Sequence, residues 1–129
     1  MTLVLGKKLL LLALGGGAGT MARWGLAGLV QRLAGSGFPV GTFAVNLAGC
    51  LCFGALWGFF ENRLGLGGDL RLFALTGFMG AFTTFSTYMF ETAQLTRHGQ
   101  MLLAAANVAG QTALGLVLLF AGLALGRWL

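Results

Sequence analysis

The stretch Thr76-Gly77-Phe78-Met79-Gly80-Ala81-Phe82-Thr83-Thr84-Phe85-Ser86-Thr87-Tyr88 lies inside an apolar segment, Leu72 to Phe90, long enough to cross a bilayer. It sets two glycines ahead of a cluster of hydroxyls. Glycine costs about 1 kcal/mol in a helix interior, and Ser and Thr hydroxyls compete for backbone partners. The sequence therefore predicts a break near Gly80 to Thr83. A broken span frees carbonyls on one side and amides on the other, which is how membrane proteins build ion sites at mid-bilayer. Carbonyls suit a small cation and amides an anion. The competing reading is one glycine-kinked helix whose hydroxyls bond back to its own carbonyls.

Working outward, the chain of 129 residues is 57% hydrophobic and 9% charged, where a soluble domain carries about 25% charge. Three further spans can be read: Leu9 to about Val30, interrupted only by Arg23; Val40 to Phe60; and Met101 to Gly126. The expectation is an all-α membrane protein with four transmembrane helices, the third broken near mid-membrane, forming one domain over 1–129. The connections, Ala34 to Pro39, Glu61 to Arg71 and Arg97 to Gln100, leave no room for a soluble domain. Lys7 and Lys8 before an apolar run resemble a secretory leader, but three more spans follow. The net charge of +5 sits at helix ends and reads as interfacial anchoring in a lipid bilayer, with no nucleic-acid partner. Lys7, Lys8, Arg63, Arg71 and Arg127 fall on one side and Arg32 and Arg97 on the other, a bias too small to fix one orientation. Cys50 and Cys52 point to different helix faces and define neither a disulfide nor a zinc site.

Glycine supplies 23 residues. The pairs Gly15/Gly19, Gly54/Gly58 and Gly122/Gly126 have the small-xxx-small spacing of closely packed helices. Because four thin helices can hardly enclose a polar path, a homodimer is expected. Polar groups within a span must be satisfied by protein or a wet cavity. Thr42 and Asn46 share one helix face at i,i+4, and so do Asn107 and Gln111. Either pair could simply bond to neighbouring helices. Phe85 and Tyr88, at i,i+3, put two rings on one side, and ring edges can rest against a small anion.

Three motifs, Gly15-Gly16-x-x-Gly19-x-x-x-Arg23, Gly41-Thr42-x-x-Val45-Asn46-x-x-Gly49 and Thr76-Gly77-Phe78-x-Gly80-x-x-Thr83-Thr84-Phe85-Ser86-Thr87, resemble the Fluc, or CrcB-type, family of fluoride channels. The likeness covers essentially the whole chain. It implies an antiparallel, dual-topology homodimer in the inner (plasma) membrane, with two fluoride pores and a sodium ion at the centre of the interface. The backbone carbonyls of Gly80 and Thr83 would hold the sodium. Asn46, Phe85, Ser86, Thr87 and Tyr88 would line the pore, together with Asn107 and Gln111, and Arg23 and Glu91 would sit at the vestibule. The chain departs from the pattern at Tyr88, where phenylalanine is usual, at Asn107 and Gln111, where tyrosine and serine are common, and at Met79, where cysteine is frequent.

Fluoride holds its water tightly, so its path must offer replacement hydrogen-bond donors. Asn46, Ser86, Thr87 and Asn107 can donate. No catalytic constellation is present, and the protein is read as a channel that exports fluoride passively. His98, the single histidine, belongs to a short connection. A small multidrug-type proton-coupled exporter needs an embedded carboxylate, usually in its first helix, where this chain has Arg23 instead. A non-transporting assembly subunit would explain the glycines but not the cluster from Thr83 to Tyr88. The glycines at 15–19 lie in an apolar helix with no preceding strand, unlike a nucleotide-binding loop.

Overall fold

The computed structural model describes residues 2–61, 63 and 67–129. Helix α1 covers Thr2–Ala34, α2 Val40–Glu61, α3 residues 68–82, α4 Phe85–Arg97 and α5 Met101–Trp128. Helices α1, α2 and α5 are each long and apolar enough to cross a membrane. The remaining crossing is made by α3 and α4 end to end. Part of the expected connection from Glu61 to Arg71 lies outside the described residues.

The third crossing is interrupted, as the hydroxyl cluster predicts. The break falls at Thr83 (φ −85°, ψ 159°) and Thr84 (φ −147°, ψ 110°), which are extended. Gly80 stays helical (φ −62°, ψ −33°), so β-branched threonines that favour extended backbone, rather than the glycines, end α3. Within α3, Leu72–Met79 is π-helical, flanked by α-helical turns at Gly68–Arg71 and Gly80–Phe82. Such wide turns are rare and tend to occur at functional sites. The expectation included no π-helix.

Glycines of α1 explain how this wide helix is accommodated. A Cβ on Gly15 would lie 2.7 Å from the Phe73 carbonyl oxygen, and one on Gly19 would strike the Phe78 carbonyl. The paired glycines Gly54/Gly58 of α2 and Gly122/Gly126 of α5 do the same for those two helices, each facing backbone atoms across the seam. All three small-residue pairs therefore pack helices within the chain. Val45, Met79 and Phe82 form the core where α2 meets α3.

Connections are fixed by local chemistry. Gly35 (φ +56°) ends α1 and Gly99 (φ +74°) turns the chain between α4 and α5, left-handed conformations that glycine adopts freely. The Gln31 side chain donates to the carbonyls of Ser36 (2.8 Å) and Phe38 (3.1 Å) and accepts from Gly41 N (3.0 Å), tying α1 to the start of α2.

Candidate functional site

The break is held by a side chain from the neighbouring span. Asn46 Oδ1 accepts from Thr84 N (2.9 Å), and its Nδ2 donates to Thr84 O (3.1 Å) and to Gln111 Oε1 (2.7 Å). Asn46 thus supplies Thr84 with the donor and acceptor that a continuous helix would have provided. Gly49, one turn further along α2, leaves the space that the Thr83 methyl enters.

The two exposed helix ends are treated differently. On the carbonyl side, Met79 O accepts from Thr83 N and Thr83 Oγ1 (both 3.2 Å), and Ala81 O accepts from Arg23 Nε (3.1 Å). A guanidinium at a helix C-terminus also complements the helix dipole. No bond across the break reaches the carbonyls of Gly80 or Thr83 among the described residues. On the amide side, Thr84 caps α4. Its Oγ1 accepts from Thr87 N (3.3 Å) and donates to Thr87 Oγ1 (2.9 Å).

Most of the residues singled out in the sequence divide between three grooves. The first, about 390 Å³, is lined by Asn46, Phe85, Tyr88 and Gln111 together with Thr83 and Thr84, and holds no charged side chain. Phe85 and Tyr88 meet edge to face with centroids 5.7 Å apart. The second, about 300 Å³, gathers Arg23, Thr42, Thr84 and Thr87 with Trp24. The third, about 380 Å³, holds Glu91, Gln94 and His98 beside Gln31. Ser86 is exposed, and Asn107 has no exposed surface at all.

Both i,i+4 pairs turn toward the interrupted span. Thr42 donates to Glu91 Oε1 (2.7 Å) while Asn46 holds Thr84. Gln111 Nε2 donates to Asn107 Oδ1 (2.9 Å), and Asn107 Nδ2 donates to Thr92 Oγ1 (2.9 Å). Arg23 and Glu91 do not pair with each other, since each has the separate partner given above. Thr92 was not anticipated; its hydroxyl also donates to Tyr88 O (2.8 Å). In sequence it looks like any helical threonine, and its partner Asn107 is on another helix.

An interrupted span whose polar ends are held by amide, hydroxyl and guanidinium side chains, within a group of long apolar helices, defines a multi-pass integral membrane protein of the channel and transporter type. A family model described as CrcB-like protein, Camphor Resistance (CrcB), matches residues 10–123. The chain belongs to that family. It is 57% identical over 121 residues to a protein of Nitratidesulfovibrio vulgaris named "Fluoride-specific ion channel FluC", covering 94% of this chain and 98% of the relative. Proteins of the same name from Maridesulfovibrio salexigens and Nitrosococcus oceani are 53% and 50% identical, over 93% and 94% of this chain and 95% and 97% of theirs.

Proposed function

We propose that this chain is a fluoride-selective channel that lets the anion leave the cell passively, and that it works as an antiparallel, dual-topology homodimer with two pores. One observation carries the reading. The break at Thr83 and Thr84 leaves polar groups in mid-span beside a groove with aromatic edges, amides and hydroxyls but no formal charge. Neutral donors can replace fluoride's water without trapping the ion. A lysine or arginine in the same place would bind it too firmly for conduction. The names carried by relatives of nearly the same length support the choice of anion.

The pore wall would be drawn from Asn46, Phe85, Ser86, Thr87, Tyr88, Asn107 and Gln111, with Arg23 and Glu91 at its vestibule. A structural sodium ion fits the donor set at the end of α3. Gly80 is exposed, and its carbonyl and that of Thr83 take no bond across the break, a neutral oxygen pair of the kind that holds Na⁺ at broken helices. One chain supplies too few oxygens to surround a cation, so a second copy would complete the set. Bound there, sodium would add positive potential and lock the two chains together.

The test is fluoride efflux from liposomes containing the purified protein, with chloride as control. Rapid fluoride efflux with little chloride efflux is expected. A flux that requires an opposing proton gradient would favour the exporter reading, and no flux of either anion would favour an assembly subunit.

A further inference from the structure

At the end of the molecule that carries Lys7, Lys8, Arg63, Arg71 and Arg127, both acidic side chains are already taken. Asp69 pairs with Lys7, and Glu61 with Arg127. Arg63 and Arg71 are left without a side-chain carboxylate, yet neither swings freely. Both are half-buried, whereas Lys7, Lys8, Arg32, Arg97 and Arg127 are exposed. The Arg63 guanidinium lies 3.9 Å from the centre of the Phe59 ring and donates to the Leu129 main-chain oxygen (2.7 Å). The Arg71 guanidinium sits over the Phe60 ring, 5.6 Å from its centre, and donates through Nη2 to Phe60 O. Arg63 N donates to that same oxygen (3.2 Å), so the two residues converge on the last turn of α2.

Like charges gathered in one place repel unless an anion joins them. Aromatic faces hold guanidinium groups in position, but rings and carbonyls are neutral and cancel no charge. A guanidinium has five N–H donors. Arg71 uses one of them on Phe60 O, and its Nε–H is enclosed with no acceptor among the described residues. Trp57, Leu70 and Trp128 are exposed around this end, and such aromatic residues collect at the level of lipid headgroups. The acceptor that a membrane brings to that level is a phosphate, whose oxygens match the arginine fork. We infer that Arg63 and Arg71 form a binding site for the phosphate of an anionic lipid, which would fasten the end of α2 to the start of α3. The occupant is a lipid rather than a dissolved anion because the site closes two apolar segments and has apolar side chains beside it for the acyl chains. The opposite end offers no equivalent, since Arg32 and Arg97 are exposed and stack on no ring among the described residues. This inference needs only the membrane-spanning fold and is independent of the ion conducted.

The test is native mass spectrometry of the purified protein in detergent, titrated with phosphatidylglycerol and, separately, with phosphatidylcholine. The wild type is expected to bind phosphatidylglycerol in preference. Arg71→Gln should weaken that binding about fivefold, the worth of one cation near an anionic lipid surface, while Arg32→Gln and Arg97→Gln bind as the wild type does. Arg63→Gln is the second variant; it leaves the bond from Arg71 to Phe60 in place, and the same loss is expected. It carries the test alone if Arg71→Gln does not fold. Equal binding of the two lipids by the wild type, or wild-type affinity in Arg63→Gln, overturns the site. So does a loss in Arg32→Gln as large as that in the two variants, which would show that any terminal cation serves. Thermal unfolding separates the sources of phosphate. A bound lipid raises the melting temperature, so phosphatidylglycerol should raise it and inorganic phosphate at the same concentration should not. An equal rise with inorganic phosphate overturns the assignment to a lipid.

Discussion

Replacing Asn46 by alanine removes three hydrogen bonds at once, to Thr84 N (2.9 Å), Thr84 O (3.1 Å) and Gln111 Oε1 (2.7 Å). A typical intramolecular bond contributes about 1 kcal/mol net, so the closed form of the break should lose about 3 kcal/mol. That is roughly a hundredfold in the local opening equilibrium. Thr84 lines two grooves, so water can reach its freed groups, and the cost stays near this net figure rather than the larger penalty of a sealed, unpaired amide. Amide hydrogen exchange in detergent reads the effect directly. Peptides covering 83–88 should exchange roughly a hundredfold faster in Asn46→Ala, because the Thr84 N–H is held by Asn46 alone, while peptides from the middle of α5 should be unchanged. Fluoride efflux should fall strongly while elution on gel filtration stays unchanged. Unaltered exchange at Thr84 would refute the claim that Asn46 holds the break closed.

Gly122→Ala should destabilise the α2–α5 seam by about 1–3 kcal/mol, seen as a lower melting temperature in detergent, because the new Cβ would lie 2.8 Å from Ala55 N and press on the Leu51 carbonyl. Gly25→Ala, which meets nothing within 4 Å, should be neutral or gain up to about 1 kcal/mol from helix propensity in the same measurement. Thr84→Val removes the cap of α4 and should cost about 1 kcal/mol by thermal unfolding. Phe85→Ala should lower fluoride efflux strongly while leaving elution on gel filtration unchanged, since Phe85 is 73% exposed and contributes little to packing within the chain.

The spans and the broken third crossing could be read because both follow from local composition. Uncharged runs of bilayer length name the helices, and the hydroxyl cluster marks where backbone pairing is contested. The faces could be read too, since i,i+4 spacing alone brings Thr42 with Asn46, and Asn107 with Gln111, toward one side. The agent of the break could not. Gly80 looks like a helix breaker yet remains helical, because the break falls instead at Thr83 and Thr84, where Asn46 satisfies the Thr84 backbone; Gly77 serves packing, since a Cβ there would lie 3.3 Å from Gly15 Cα. The π-helical stretch depends on the room that Gly15 and Gly19 provide on another helix, and nothing within 72–79 announces it. Thr92 is invisible for the same reason, as its role exists only once α5 is laid against α4.

A polar group inside a membrane protein can hold the fold or hold an ion, but a hydrogen already donated does only the first. Around this break most of the hydrogens are committed: Asn46 to Thr84 and Gln111, Thr84 to Thr87, Asn107 to Thr92 and Thr92 to Tyr88. Among the described residues the donors left over include the second hydrogen of Gln111 and the hydroxyls of Ser86, Thr87, Tyr88 and Thr112, with backbone N–H groups in the first turn of α4. Removing any committed bond should therefore act on shape and on rate together, whereas removing a leftover donor should act on rate with little change in stability. Ser86→Ala makes the contrast testable. Its hydroxyl is exposed and has no partner among the described residues, so fluoride efflux should drop several-fold while thermal unfolding and exchange at 83–88 stay at wild-type values. A loss of stability equal to that of Asn46→Ala would show that the two kinds of group are not separate.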